Sequence, residues 1–133
     1  ASEVRMNAYA PYSKFKVGAA LLDEYGRVFT GCNVENSSFG ATICAERNAI
    51  ASMVAAGGRA FSHLIVVTDT PNGCPPCGLC RQVLAEFTKT PSKTTIYIAN
   101  TKGITLKTQL THLLPEAFDG TFLPGSGLEK RNF

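Results

Sequence analysis

The sequence predicts a layered α/β domain built on a mixed sheet. Three observations predict it: two apolar stripes of helical period, apolar runs of strand length around them, and turn residues separating each from the next. The elements run β-β-α-β-α-β-β along the chain, and that alternation favours helices packed on one sheet.

"SEVRMNAY" reads as the end of a short helix, closed by "APYS" because Pro11 cannot continue it. "FKVGAALL" (15–22) and "VFTGCNV" (28–34) flank the Gly-containing turn "DEYGR" and make a hairpin. The loop "ENSSFGAT" leads to a helix beginning at Cys44, on which Glu46, Ala49, Ile50 and Met53 share one face. Gly57-Gly58 ends it. "SHLIVVTD" (62–69) is a continuous apolar run, as a buried strand requires.

After the loop "TPNGCPPCG", Cys80, Val83, Leu84 and Phe87 fall on one helical face. "TTIYIAN" (94–100) is a further strand, and "ITLKT" (104–108) follows a turn at Lys102-Gly103. "LTHLLPEAF" (110–118) reads as a short closing helix, and about 119–133 as a tail or oligomer arm. There are no repeats and no linker, so 1–133 is read as one domain.

With 133 residues, 44% of them hydrophobic and 17% charged, the chain can bury a core, and disorder is excluded. No apolar run approaches the ~18 residues of a membrane span, and no basic-then-apolar leader opens the sequence, so a soluble protein is expected. The net charge of +3 is scattered apart from "EKR" (129–131), which reads as a solvated tail. No nucleic-acid partner is expected.

Five cysteines need another explanation. The number is odd and nothing suggests secretion, so a disulfide framework is not predicted. Both long helices start at cysteines that follow loops leaving strands, and helix N-termini favour thiolate over thiol. Two such helices on one sheet would bring Cys44, Cys77 and Cys80 together, a donor set suited to Zn²⁺ with a fourth position left for water. A four-ligand structural site would need Cys74, His63 or His112 as well.

Glu46 lies on an apolar face beside this cluster. There it can relay a proton between water and substrate, although an acid at a helix start is also a common stabilising feature. Three thiolates and one Zn²⁺ sum to a net negative charge. Arg47 at the same helix start is the first candidate to offset it, and Arg81 on the second helix the next.

"CAE" (44–46) with "PCGLC" (76–80) resembles the zinc-deaminase signature. The stretches "YAPYSKFKVGAAL" (9–21), "GCNVENSSFG" (31–40), "CAERNAI" (44–50), "PCGLCRQVLAEF" (76–87) and "LLPEAF" (113–118), in this order, resemble cytidine deaminases of the small homotetrameric form from about residue 8 to 118. The resemblance implies a three-layer α-β-α sandwich around a five-stranded mixed sheet, with one Zn²⁺ per subunit of a cytoplasmic homotetramer. It implies hydrolytic deamination of cytidine and 2′-deoxycytidine to the uridines and ammonia, in pyrimidine salvage.

By the same resemblance Cys44, Cys77 and Cys80 are the zinc ligands, Glu46 the proton shuttle, and Arg47 the partner of the zinc-bound thiolates. Phe15 packs near the nucleoside, Asn33 and Glu35 hold the ribose 3′-hydroxyl, Ala45 contributes to substrate binding, and Phe118 covers the base in a neighbouring subunit's site. Simpler roles stand beside these: Phe15 as core, Asn33 and Glu35 as two polar residues on one side of an extended segment, and Phe118 as a cap on its own helix. Cys32 reads as a small buried residue, and Phe39 as a lining or support of its loop.

Cys74 and the short leading helix depart from the family pattern. A deaminase of the blasticidin type shares the zinc core, but Asn33 with Glu35 argues for a free ribose. A zinc-stabilised binding protein would have no use for Glu46 beside an open metal position.

Overall fold

Asp23 makes the first reversal of the chain. Its Oδ1 accepts the backbone N–H groups of Tyr25 and Arg27 at 2.9 and 2.8 Å, and its Oδ2 accepts from Arg27 Nε at 2.9 Å. This turn lays β1 (Val17–Asp23) antiparallel to β2 (Val28–Cys32), in a register from Gly18↔Cys32 to Leu22↔Val28. In the computed structural model, which describes residues 1–125, β3 (Phe61–Thr68) pairs antiparallel with β1. Next, β4 (Thr95–Asn100) runs parallel to β3, and β5 (Gly103–Gln109) closes the far edge antiparallel to β4. The order is β2-β1-β3-β4-β5, the expected five-stranded mixed sheet.

A parallel pair needs a crossover, and α3 (Gly78–Glu86) lies within the one between β3 and β4. α2 (Ala45–Ala55) packs on β1 and β2 through Ala45, Glu46, Ala49, Ile50 and Met53, which includes the whole predicted stripe. Ala19, Leu21, Leu64, Val66 and Ile96 of the sheet meet Leu84 and Ala85 of α3 in the same core. Val83 and Phe87, the other predicted members of the α3 stripe, pack partly buried at its edge.

Two glycines set the layer spacing. A Cβ on Gly31 would lie 2.4 Å from the Ala45 carbonyl oxygen and 2.5 Å from the Ala49 nitrogen, so β2 accepts the start of α2 only without a side chain there. On the opposite sheet face, a Cβ on Gly18 would lie 2.2 Å from the Ala1 carbonyl oxygen, within α1 (Ser2–Arg5) and its cap. Helices therefore lie on both faces, and the three-layer expectation holds.

Four boundaries differ from expectation by two residues or more. The leading helix ends at Arg5, well short of Pro11, because Met6, Asn7 and Ala8 bond carbonyls three residues back and wind the chain out of the helix. β1 begins at Val17, not Phe15, and β2 ends at Cys32, not Val34, because the Asn33 side chain takes over the local bonding: its Oδ1 accepts from Val17 N at 2.8 Å and its Nδ2 donates to the Phe15 carbonyl at 2.8 Å. The closing helix is only α4 (Leu110–Leu113), since Leu114 precedes Pro115 and is driven out of the helical region (φ −141°, ψ 73°). Of the predicted tail, Gly120–Phe122 forms a 3₁₀ turn capped by Asp119. The basic run at 129–131 lies outside the described residues. No helix among those described is long and apolar enough to cross a membrane.

Candidate active site

Cys44 and Cys77 are the N-caps of α2 and α3, both with extended backbone (φ −73°, ψ 156° and φ −68°, ψ 170°), and Cys80 is buried in the first turn of α3. Packing the two helices side by side brings their sulphurs together: Cys44 Sγ is 3.9 Å from Cys77 Sγ, and all three lie within 4.8 Å of one another. Tetrahedral zinc with bonds of about 2.3 Å holds thiolate sulphurs about 3.8 Å apart, so the donor set and its spacing fit Zn²⁺. No other His, Cys, Asp or Glu among the described residues joins the group. His63 is exposed and stacks on Tyr97 with ring centroids 6.4 Å apart, and His112 is exposed on α4. The four-ligand alternative therefore finds no support in the arrangement.

Charge in the cluster is unevenly shared. A hydrogen bond from Cys80 lowers the Cys44 thiol to about 5 against the opposing effect of burial, with Arg47 and Cys77 adding to the lowering. The same bond, together with burial and the nearby Glu46 carboxylate, pushes Cys80 upward. One thiolate is thus stabilised by its neighbours before any metal is considered. Arg47 Nη2 donates to the Thr42 carbonyl at 3.1 Å and reaches Cys44 Sγ at 3.8 Å. Arg47 Nε is the one buried side-chain polar atom without a hydrogen-bond partner among the described residues, an unspent donor on the arginine serving the thiolate.

Arg81 has a different job. Its Nε donates to the Pro76 carbonyl at 2.7 Å and its Nη1 to the Leu113 carbonyl at 2.9 Å, so it straps the loop before Cys77 to the end of α4. Of the two arginines named from sequence, Arg47 is the one at the thiolate.

Glu46 is 4% exposed, on the core-facing side of α2. Burial raises its carboxyl above the ordinary range, and the Cys44 charge adds to this, while Cys80 and Arg47 act in the other direction. A carboxyl pulled both ways beside a cluster of thiols is equipped to exchange a proton.

Asn33, Glu35 and Phe15 form a second group. Asn33 is buried, and its two bonds clamp the backbone on either side of Lys16. Glu35 Oε1 accepts the N–H groups of Tyr12 and Ser13 at 3.0 and 3.1 Å, and its Oε2 accepts the Ser13 hydroxyl. These bonds, the Ser13 hydroxyl first, hold the Glu35 carboxyl below its ordinary value. Between Asn33 and Glu35, Val34 pairs with Ile43, each N–H meeting the other's carbonyl at 2.9 Å. Ile43 directly precedes Cys44, so this bridge fixes the second group beside the first. Ala45, fully buried, opens α2 between Cys44 and Glu46.

Phe118 stands on a third segment, beyond α4. Its ring is 56% exposed and stacks on Phe122 at 5.9 Å, while its carbonyl accepts from Gln82 Nε2 of α3 at 2.9 Å. Phe39 is exposed and meets Tyr12 edge-on at 6.1 Å. Cys32 is half-buried, less enclosed than expected, and its carbonyl accepts from Asn48 Nδ2 at 2.8 Å. Sequence reasoning missed Ser13, Asn48 and Gln82. Small polar residues carry no periodic signal, and their bonds appear only once distant segments meet.

The comparisons with known proteins agree with this geometry. Residues 1–97 match the model of the cytidine and deoxycytidylate deaminase zinc-binding region. A cytidine deaminase of Sporosarcina psychrophila is 49% identical over 116 residues, covering 87% of this chain and 84% of that protein. One from Halalkalibacterium halodurans is 46% identical over 118 residues, covering 89% and 88%. The crystal structure of cytidine deaminase from Burkholderia pseudomallei superposes with a TM-score of 0.83 at 48% identity, over 89% of this chain and 93% of that one. With a family model matching most of its length and relatives of this similarity over most of theirs, the chain belongs to the cytidine and deoxycytidylate deaminase family.

Proposed function

We propose that this protein is a zinc-dependent deaminase that converts cytidine, and 2′-deoxycytidine, to the corresponding uridine and ammonia. The observation that carries the reading is the convergence of Cys44, Cys77 and Cys80 at two helix N-termini beside a buried glutamate, Glu46. Bound at these three sulphurs, zinc would supply a Lewis acid that activates water. Glu46 takes a proton from the attacking water as a bond forms to C4 of the ring. It delivers that proton to N3, then takes the proton of the new C4 hydroxyl and passes it to the 4-amino group, so that the C–N bond breaks and ammonia leaves as the C4 carbonyl forms. Arg47 offsets the negative charge of the thiolates and keeps the Thr42–Cys44 backbone in place. Asn33 and Glu35 hold the ribose 3′-hydroxyl, Phe15 and Ala45 line the pocket, and Phe118 covers the base of a neighbouring subunit's site in a homotetramer.

Five free cysteines, three of them gathered as metal ligands, suit a reducing compartment, which supports a cytoplasmic role in pyrimidine salvage. The whole of 1–133 is taken as one deaminase domain. Loss of cytidine absorbance in the ultraviolet, followed with and without a zinc chelator, tests the reading. Chelator-sensitive turnover of cytidine is expected. Inertness toward cytidine with turnover of blasticidin S would replace the substrate, and inertness toward both would overturn the enzymatic reading.

A further inference from the structure

We propose that Ser13 is a positioning residue for the sugar of the nucleoside, acting through Glu35 and Phe15. The inference rests on the reading that Glu35 holds the ribose 3′-hydroxyl. The Ser13 hydroxyl donates to Glu35 Oε2 and accepts the N–H of Phe15 at 3.0 Å, so one oxygen joins two residues assigned to the pocket. Its backbone N–H and that of Tyr12 occupy Glu35 Oε1. A carboxylate offers about four acceptor positions. Two are taken on Oε1 and one on Oε2, which leaves a single position on Oε2 for a substrate hydroxyl, and Ser13 decides which one.

The turn that makes this possible is strained. Lys14, between Ser13 and Phe15, has φ 60°, a left-handed conformation that costs a residue with a Cβ. It is held by its own N–H to the Ala10 carbonyl at 3.0 Å and by the Ser13 bridge to the residue after it. Serine suits the position because its short side chain reaches the N–H two residues on while its proton stays free for the carboxylate. Alanine would leave Oε2 with two open positions and the Phe15 N–H without its acceptor.

The test compares Ser13→Ala, Ser13→Thr and Glu35→Ala on cytidine and 3′-deoxycytidine, with zinc content and thermal midpoint measured on each loaded enzyme. Ser13→Ala is expected to raise KM for cytidine about tenfold with kcat within about twofold, the scale of one lost hydrogen bond to a charged group. Its KM for 3′-deoxycytidine should stay near that of the unmodified enzyme, so discrimination between the two nucleosides collapses. Ser13→Thr should restore it with zinc content unchanged. Equal losses on both nucleosides, or no loss on either, would overturn the proposal. Glu35→Ala should lose the discrimination as well; if it still prefers cytidine as the unmodified enzyme does, the ribose reading of Glu35 has failed and the proposal falls with it. Ser13→Cys, nearly isosteric but a weak donor, gives the same comparison if the alanine variant does not fold.

Discussion

A single guanidinium nitrogen of Arg47 bonds the Thr42 carbonyl at 3.1 Å and reaches the Cys44 sulphur at 3.8 Å. The arginine thereby fixes the chain entering α2 and places its charge on a thiol that its neighbours hold below the ordinary value. Both effects are lost together in Arg47→Gln. Steady-state kinetics and a zinc titration should show activity or metal affinity reduced by about 10- to 100-fold, the usual cost of removing a partner of a metal ligand. Arg47→Lys should recover part of the loss, since it keeps the charge but not the two-point grip. Indifference to both substitutions would remove Arg47 from the centre.

Glu46→Gln keeps the shape of the buried side chain and removes its ability to carry a proton. Turnover should fall by about 10² to 10⁴ while zinc content by atomic emission stays at that of the unmodified protein. Retained turnover above a few per cent would assign the proton transfer elsewhere.

The metal should also be part of the fold. A ligand that binds only the native state stabilises it in proportion to its affinity, so chelator treatment should lower the thermal midpoint by at least about 5 °C, and added zinc should restore it. Cys77→Ser should abolish stoichiometric zinc. Cys74→Ser, outside the sulphur cluster, should leave zinc content unchanged.

Gly31→Ala tests the contact between β2 and the start of α2. The atoms its Cβ would meet, Ala45 O at 2.4 Å and Ala49 N at 2.5 Å, are backbone and cannot rotate away. A loss of about 1–3 kcal/mol in denaturant unfolding is expected, together with weaker zinc binding, because α2 carries Cys44. Stability loss with unchanged zinc affinity would separate helix packing from the metal centre.

Asp23 gives a pH signature remote from the metal. Burial would raise its carboxyl, but bonds from Arg27 and Tyr25 outweigh this and hold it below the ordinary value of 3.8. A carboxyl lowered in the folded state contributes stability that is complete above its ordinary value and disappears as pH falls through the folded value. The difference in thermal midpoint between the unmodified protein and Asp23→Asn should therefore be widest near neutrality and shrink below about pH 4. A difference that is constant with pH would show that the carboxylate charge is not what holds this turn.

The fold class, the core stripe of α2 and the three cysteines that converge were all legible in the sequence. Each of these is written in short spacings: Glu46, Ala49, Ile50 and Met53 repeat at the helical period, and Cys77 and Cys80 cap and open one helix. Element ends were less legible. Nothing local announces that the Asn33 side chain will bond the backbone at Phe15 and Val17, or that Leu114 will leave the helix before Pro115.

Tertiary structure alone decided which arginine meets the thiolate and what Glu35 does before substrate arrives. Arg47 and Arg81 both lie near the start of a helix whose N-cap is a cysteine, Cys44 for one and Cys77 for the other. Only the neighbouring carbonyls (Thr42 for one, Pro76 and Leu113 for the other) tell them apart. The Ser13–Glu35 contact joins residues 22 positions apart through an antiparallel excursion of the chain. Such bonds depend on distance in space, which periodicity does not encode.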